Sequence, residues 1–301
     1  MPAEGDDPPI EYIERTREWY LALGYGNPYR WAHHDDVPFH PLAKPLARCT
    51  VALVTTAAPY QPDKGPQGPG APYNAAAKFY ALYSGDTALD HDVRIAHVAI
   101  DRKHTTMEDS ATWFPLPLLR ELAARGAIGA LARRFHGMPT NRSQRRTLEV
   151  DVPELLARCR EDGVDAAVLV PNCPVCHQTM ALAARSLEAA GIATVIMGCA
   201  KDIVEHCGVP RFLFSDFPLG NSAGKPHDRA SQELTLALAL DLLASAGGPR
   251  TTLRSPLRWS EGSEWKRDYM NVARLSAGEM ARLRAEADEA KDIAKAIRDR
   301  S

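Results

Sequence analysis

The sequence predicts an α/β protein with a doubly wound, mostly parallel sheet (Rossmann-like), helices on both faces and a C-terminal surface helix. Two observations support this prediction. Short, continuously apolar segments alternate with helical segments from residue 152 to residue 246, which is typical of strands that are buried on both faces of a parallel sheet. The chain has 301 residues, 45% of them hydrophobic, and is therefore long enough to bury such a sheet.

The individual elements follow from β-branched runs, helical spacing of apolar residues and turn residues between them. The predicted strands span residues 49–56, 93–100, 166–170, 192–197 and 211–215. The predicted helices span residues 116–124, 128–135, 154–161, 176–190 and 227–246. A capping box from Ser276 to Glu279 opens the C-terminal helix, whose narrow apolar stripe suits a surface position.

The same patterns divide the chain into three regions. Residues 1–48 form an N-terminal arm, residues 49–250 the α/β catalytic body, and residues 251–301 a C-terminal extension with a helix. The body could comprise two βα halves, 49–150 and 151–250. No internal repeat is apparent.

Charge and composition exclude several classes of function. The formal net charge of −2 provides no field that favours nucleic acid or an anionic membrane surface. The acidic, proline-rich N-terminus lacks the pattern of a secretory signal, and the apolar stretches are too short to span a bilayer. We therefore expect a cytoplasmic chain, in which the six cysteines are poor evidence for structural disulfides.

The decisive motif is a pair of cysteines, Cys173 and Cys176, which follows the predicted strand 166–170. Ligands of parallel α/β sheets bind beyond the carboxyl ends of the strands. Cys176 opens the next helix, where unpaired N–H groups stabilise a thiolate. A Cys-x-x-Cys pair at this place predicts redox or nucleophilic chemistry, because the second thiol can resolve a disulfide formed on the first.

Three other interpretations of the motif stay open. The pair could bind zinc or iron together with Cys199, His206 or Cys207, since Cys199 follows the neighbouring strand. Cys-x-x-Cys-His is also the haem-attachment pattern, although that chemistry requires export. Finally, both cysteines could be small buried core residues, but Pro174 between them favours a shaped turn.

Other polar residues near the predicted strand ends are candidates for substrate binding or acid–base chemistry. His104 follows the second strand and could act as a general acid. Asp216 lies at the carboxyl end of the strand 211–215 and could contact substrate or cap a turn. The remaining candidates are Thr55, His177, Thr179 and Asn221.

The cysteine segment resembles a known family. Residues 170–179 (VPNCPVCHQT), 189–195 (AAGIATV) and 216–221 (DFPLGN) are similar to the selenoprotein B subunits of glycine, sarcosine and betaine reductases and to the D-proline reductase selenoprotein. Together with weaker similarity elsewhere, the resemblance covers most of residues 10–245.

The resemblance implies a reaction class. These reductases use a selenocysteine beside a cysteine to break a carbon–nitrogen bond, with a pyruvoyl-bearing partner subunit. In one register Cys173 takes the place of the selenocysteine and Cys176 that of its companion. Some members carry the selenium three residues earlier, where this chain has Val170.

We therefore expect a thiol-dependent reductase that cleaves a C–N or C–S bond in a small polar molecule. Cys173 attacks, Cys176 resolves, and a thioredoxin-like donor reduces the disulfide. No cofactor is firmly implied beyond a thiol reductant, and the chain could form a homo-oligomer. The alternatives are a zinc or iron metal-thiolate enzyme, a metal-binding module, or a non-catalytic accessory subunit.

Overall fold

A computed structural model describes residues 8–25 and 29–298. Its main sheet has eight strands, in the order β10-β9-β8-β7-β1-β6-β3, with β5 paired to β1 beside β6. All pairs in this sheet are parallel except β3 with β6, and β2 and β4 form a separate antiparallel pair. The strands are β1 (Thr50–Thr55), β2 (Ala58–Pro59), β3 (Tyr83–Asp86), β4 (Val93–Arg94), β5 (Ala130–Leu131), β6 (Arg134–Gly137), β7 (Ala166–Val170), β8 (Ala193–Gly198), β9 (Arg211–Phe214) and β10 (Thr251–Arg254).

The helices cover both faces of this sheet, as predicted. They are α1 (Tyr12–Ala22), α2 (Leu116–Ala124), α3 (Gln144–Arg146), α4 (Val152–Glu161), α5 (Pro174–Ala189), α6 (Lys201–Cys207), α7 (Arg229–Ser245), α8 (Trp265–Asp268) and α9 (Ala277–Arg298). Side chains of α4, α5 and α6 share one core with one face of the strands, and α2 and α7 share the other core with the opposite face. The side chains of strand β7 alternate between the two cores: Val168 and Val170 lie in one core and Leu169 lies in the other.

The chain changes direction across the sheet beside β1. From β1 it passes to β5 and β6 on one side, then returns through α4 to β7 on the other side of β1. This reversal makes the gap between β1 and β7 a topological switch point, which is where open α/β sheets bind ligands. The segment that carries Cys173 leaves β7 at this point.

Two predicted elements were wrong. Only Val93–Arg94 of the expected strand 93–100 pairs, because its partner β2 has two residues, and the following residues run as a loop. The expected helix 128–135 is instead β5 and β6. Gly129 explains the second error, because a Cβ there would lie 2.6 Å from the carbonyl carbon of Arg48. The backbone approach that pairs β5 with β1 therefore leaves no room for a side chain.

A third apolar cluster covers the carboxyl edge of the sheet near the switch point. It joins Tyr12 of α1, Trp265 of α8, Tyr269 and the two cysteines Cys173 and Cys176. The N-terminal helix and the C-terminal segment therefore form a cap over this edge. In the part of the chain that the structure describes, no helix has the length and apolar composition needed to cross a bilayer.

The C-terminal helix begins as the sequence predicts. Ser276 Oγ accepts the backbone N–H of Glu279 at 3.2 Å, and Glu279 Oε2 accepts the backbone N–H of Ser276 at 2.9 Å. These reciprocal bonds confirm the capping box that precedes α9.

Candidate active site

Cys173 is the N-cap residue of α5. Its backbone is extended, and its Sγ accepts the backbone N–H of Cys176 at 3.3 Å. Pro174 occupies the first helical position, where its fixed φ suits the helix and its missing N–H is not needed. The sequence Cys-Pro-x-Cys thus places one sulfur at the positive end of a 16-residue helix and the other in its first turn.

The two sulfurs lie 2.7 Å apart. Cys173 is 5% exposed and Cys176 is fully buried. The six cysteines of the chain are free thiols in this structure. The sulfur–sulfur bond of a disulfide is about 2.05 Å long, so the two sulfurs lie close enough for oxidation to join them.

Two further side chains contact the pair. Thr140, which follows β6, has its Oγ1 3.2 Å from the Cys176 sulfur. His97, from the loop after β4, offers a ring nitrogen within 4.8 Å of both sulfurs. His97 is 7% exposed, and among the described residues its Nδ1 has no hydrogen-bond partner. A buried imidazole beside two thiols can exchange protons or bind a cation.

The two thiols have opposite acidities. Burial raises the pKa of Cys173 well above its ordinary value, and the hydrogen bond with Cys176 and the charge of Cys176 raise it further. Burial opposes ionisation of Cys176 as well. Its hydrogen bonds with Cys173, His97 and Thr140, and the charge of His97, outweigh burial and hold its pKa well below the ordinary value. Cys176 is therefore the more acidic thiol of the pair.

His177 holds the start of α5 against the neighbouring strand. Its Nδ1 donates to the carbonyl oxygen of Cys173 at 2.8 Å, and its Nε2 accepts the N–H groups of Cys199 at 2.9 Å and Ala200 at 3.2 Å. Burial lowers the pKa of His177 to about 4, so the ring is neutral and suits both roles. A Cβ at Gly198 would lie 2.7 Å from this Nε2, so glycine is needed there. His177 thus positions the cysteine turn.

A small pocket adjoins the turn between the cysteines. Pro174 and Val175 form one wall and aromatic residues form the others. Arg142 lies at its rim with its guanidinium 4.6 Å from the ring centre of Tyr20, in a left-handed backbone conformation with φ of 54°. The lining is completed by Thr16, Arg17, Tyr29, Trp31 and Ala99. The pocket therefore offers an aromatic wall and a positive charge beside Pro174 and Val175, the two residues between the cysteines.

The two predicted acidic or basic candidates, His104 and Asp216, bind the C-terminal segment. His104 Nδ1 lies 2.9 Å from Asp101 Oδ1, and its Nε2 lies 3.5 Å from Asp268 Oδ2. Asp216 pairs with Lys266 at 2.6 Å and with Arg254 at 3.1 Å. In these positions both groups hold the cap in place. Their part in catalysis stays a prediction.

The other candidates are buried near the same edge. Thr55 Oγ1 donates to the carbonyl oxygen of Trp113 at 3.2 Å, and Thr179 lies buried on α5. Asn221 donates to the carbonyl oxygen of Pro218 at 3.0 Å, while its Oδ1 is buried without a partner in the described part of the chain. In the described part of the chain, none of these three side chains forms a hydrogen bond with the Cys173 or Cys176 sulfur.

The side chains that lie close enough to share a metal ion are not the ones predicted from the sequence. Within the residues described, the group of three or more close histidine, cysteine or acidic ligand atoms is His97, Cys173 and Cys176. Cys199 lies instead with its Sγ 3.8 Å from Ser222 Oγ, and burial raises its pKa to about 12. Cys207 packs in the core beneath α5 and α6.

The sequence interpretation missed His97 and Thr140. His97 lies inside the run Val93–Ile100, where a single histidine among β-branched and small residues could have marked a functional position. Thr140 follows a segment that was predicted to be helical, so the sequence did not indicate that Thr140 lies beyond the carboxyl end of a strand. Each residue comes from a segment whose secondary structure was predicted wrongly or not at all.

Comparison with known proteins gives relatives of one kind. D-proline reductase subunit gamma of Acetoanaerobium sticklandii is 31% identical over 196 residues, which cover 64% of this chain and 77% of that protein. Glycine reductase complex component B subunit gamma of Carboxydothermus hydrogenoformans is 29% identical over 194 residues, 63% of this chain and 44% of that protein. Sarcosine reductase complex component B subunit beta of Peptoclostridium acidaminophilum is 26% identical over 201 residues, 63% of this chain and 44% of that protein.

The matched region spans most of the D-proline reductase subunit but less than half of the glycine and sarcosine reductase subunits just named. No family model matches the chain, and no solved structure matches it significantly. The extent of the first match, at 31% identity, is sufficient to assign a family. The chain belongs to the family that includes D-proline reductase subunit gamma and the component B subunits of glycine and sarcosine reductases.

Proposed function

We propose that this chain is a reductase subunit that cleaves a C–N or C–S bond in a small polar molecule with Cys173 and Cys176. The observation that carries the proposal is the 2.7 Å separation of the two sulfurs at the switch point of the sheet. The names of the relatives, all subunits of reductases, support the same reaction class. Two thiols in this geometry can deliver two electrons and close to a disulfide.

The reaction divides into two steps. Cys173, the more exposed thiol, passes its proton to Cys176 across their contact and forms a bond to the substrate carbon. The C–N or C–S bond breaks, and the leaving group takes a proton from solvent. Cys176, after giving up its proton to His97, then attacks the Cys173 sulfur. The S–S bond forms, the S–C bond breaks, and the carbon keeps the electron pair and takes a proton.

The overall balance is one substrate and two thiols converted to a reduced carbon compound, an amine or thiol, and one disulfide. The carbon must stabilise an electron pair in the second step, so we expect a carboxylate or carbonyl group beside it. Arg142 at the pocket rim suits a substrate of this kind, because a guanidinium binds carboxylate oxygens well. A dithiol protein or subunit of thioredoxin-like chemistry then reduces the disulfide.

The first test uses oxidised dithiothreitol as the probe and intact mass as the measurement. The reduced wild-type chain should lose the mass of two hydrogen atoms, with peptide mapping assigning the disulfide to Cys173 and Cys176. The Cys176→Ser variant should instead retain a mixed disulfide on Cys173, since the resolving thiol is absent. The Cys173→Ser variant should form neither product at this site.

The matched control is Cys199→Ser, which changes a buried cysteine of the same apolar cluster that lies beside Ser222. It should form the Cys173–Cys176 disulfide as the wild type does. Mixed disulfides on separate cysteines of the wild type, without an internal disulfide, would refute the proposal. A stable mixed disulfide on Cys176 in the Cys173→Ser variant, and none on Cys173 in the other, would reverse the two roles.

A further inference from the structure

We propose that His97, Cys173 and Cys176 form a binding site for one thiophilic divalent cation, with Zn²⁺ as its representative, and that the bound cation blocks the thiol chemistry. The proposal goes beyond the reductase function, because it concerns a ligand that competes with the reaction. It rests on the three ligand atoms lying within 4.8 Å of one another in a buried position.

The donor set is chemically suited to zinc. Zinc binds cysteine sulfur at about 2.3 Å and histidine nitrogen at about 2.0 Å in tetrahedral geometry, with the two sulfurs about 3.8 Å apart. The observed separation of 2.7 Å must therefore widen by roughly 1 Å. A rotation of the Cys173 side chain achieves this, because Cys173 is the N-cap residue and is the less enclosed of the two.

His97 provides the second, independent observation. Its Nδ1 is buried and has no hydrogen-bond partner in the described residues. A ring nitrogen of His97 is one of the three grouped ligand atoms, and imidazole nitrogen is a common metal ligand. The histidine also comes from a separate loop, so the three ligands are supplied by two segments that are distant in sequence.

Charge balance favours the site further. Two thiolates and one divalent cation sum to zero, so a neutral complex replaces ionised sulfur in an apolar surrounding. Binding releases the protons that the thiols carried and changes no oxidation state. Three protein ligands leave one position of a tetrahedral zinc site open.

The same geometry makes the cation and the disulfide mutually exclusive. Both sulfurs bind the cation in one state and each other in the alternative state. A bound cation therefore keeps the pair reduced and withholds it from substrate. Removal of the cation restores the pair to redox chemistry.

The binding experiment uses the full chain, reduced and stripped with a chelator, and Zn²⁺ alone as the titrant against a chromophoric chelator. We expect one equivalent of Zn²⁺ for the wild type and weaker binding, by at least about tenfold, for His97→Ala. His97→Cys should restore tight binding, since a thiolate replaces the imidazole as the third ligand. Cys199→Ser should bind as the wild type does. Thermal unfolding of each metal-free variant checks that it is folded.

The competition experiment then exposes the chain to oxidised dithiothreitol with and without Zn²⁺. The cation should protect Cys173 and Cys176 from oxidation in the wild type, and protection should be lost with His97→Ala. Binding that is unchanged by His97→Ala, or lost equally with Cys199→Ser, would overturn the proposed site. The metal-free wild type tests the thiol chemistry separately, so failure of the cation site and failure of the reductase proposal give different results.

Discussion

Helix α5 has a buried polar group at each end, and the two groups are built differently. At its C-terminal end Glu188 pairs with Arg211 at 2.8 Å and also accepts backbone N–H groups of His40 and Thr194, each at 2.5 Å. At its N-terminal end the Cys173 and Cys176 sulfurs lie 2.7 Å apart, near His97, whose Nδ1 has no hydrogen-bond partner among the described residues. Both groups are almost fully buried.

The comparison distinguishes buried polar groups that stabilise the fold from buried polar groups that can react. A buried charge that is paired and hydrogen-bonded on every oxygen holds its neighbours in place and has little capacity to react. The Glu188 carboxylate ties β8, β9 and the N-terminal arm together in this way. The thiol end keeps unused donors and acceptors, which a substrate, proton or cation can occupy.

The largest effect should come from Glu188→Ala. The change leaves the Arg211 guanidinium buried without its charge partner and the His40 and Thr194 N–H groups without their acceptor. We expect the free energy of unfolding to fall by about 3–5 kcal/mol in urea denaturation. The rate of Cys173–Cys176 oxidation in the folded protein should be unchanged.

Glu205→Ala is the matched control, because Glu205 pairs with Lys201 on a half-exposed face of α6. Its removal should cost less than about 1 kcal/mol. A similar loss for both variants would contradict the structural role of Glu188. A changed oxidation rate in folded Glu188→Ala would show that the two ends of α5 are coupled.

His177→Ala should have the next largest effect. Without the imidazole, the buried N–H groups of Cys199 and Ala200 lose their acceptor, at a cost of about 2–3 kcal/mol. The cysteine turn also loses its tie to β8, so disulfide formation should slow in the folded protein. Urea denaturation and intact-mass kinetics measure the two effects. His206→Ala, which alters a histidine of α6 that packs on His33, should change neither. Unchanged oxidation in His177→Ala would limit His177 to a stabilising role.

The contrast also explains how much the sequence could predict. Strand β7, the start of α5 and the cysteine pair follow from a continuous apolar run, Pro174 and the motif spacing, all of which are local. The sheet edge that carries the site follows from the strand–helix alternation. The family was likewise indicated by the same segment and confirmed by comparison.

The rest depends on contacts between segments distant in sequence. His97 reaches the thiols because a β-branched run finds only a two-residue partner and continues as a loop. Pairing of β5 and β6 with β1 depends on the close approach at Gly129, which no periodicity reveals. The ties of His104 and Asp216 to the C-terminal segment likewise require knowledge of how that segment packs.

A smaller effect concerns pH and the cap over the site. Asp202 Oδ2 accepts the backbone N–H of Ile13 in α1 at 2.7 Å, and burial raises the pKa of Asp202 to about 6. Above pH 6 the carboxylate is ionised in the folded and unfolded states, and its burial penalty lowers stability. As pH falls through 6, the folded state takes up a proton that the unfolded state does not, so stability rises.

Urea denaturation from pH 5 to pH 8 measures this contribution. The wild type should lose about 1–2 kcal/mol across this range relative to Asp202→Asn, whose side chain does not titrate. The difference between the two proteins isolates Asp202 from Asp101 and Glu188, whose pKa values burial also raises. Parallel pH profiles for the two proteins would contradict a raised pKa at Asp202.

The smallest expected effect concerns a single hydroxyl group at the N-terminal end of α5. Thr140 Oγ1 lies 3.2 Å from the Cys176 sulfur, and Thr140→Val removes it while keeping the shape of the side chain. Loss of one hydrogen bond worth about 1 kcal/mol should slow closure of the Cys173–Cys176 disulfide with oxidised dithiothreitol, in which Cys176 is the resolving thiolate, by roughly fivefold by intact mass. Thr140→Ser should retain the wild-type rate. Thr235→Val removes a buried hydroxyl that bonds within α7, and should leave the rate unchanged. Slower closure in both valine variants would point to a general loosening of the fold, whereas slower closure in Thr140→Val alone would show that this hydroxyl stabilises the resolving thiolate of Cys176.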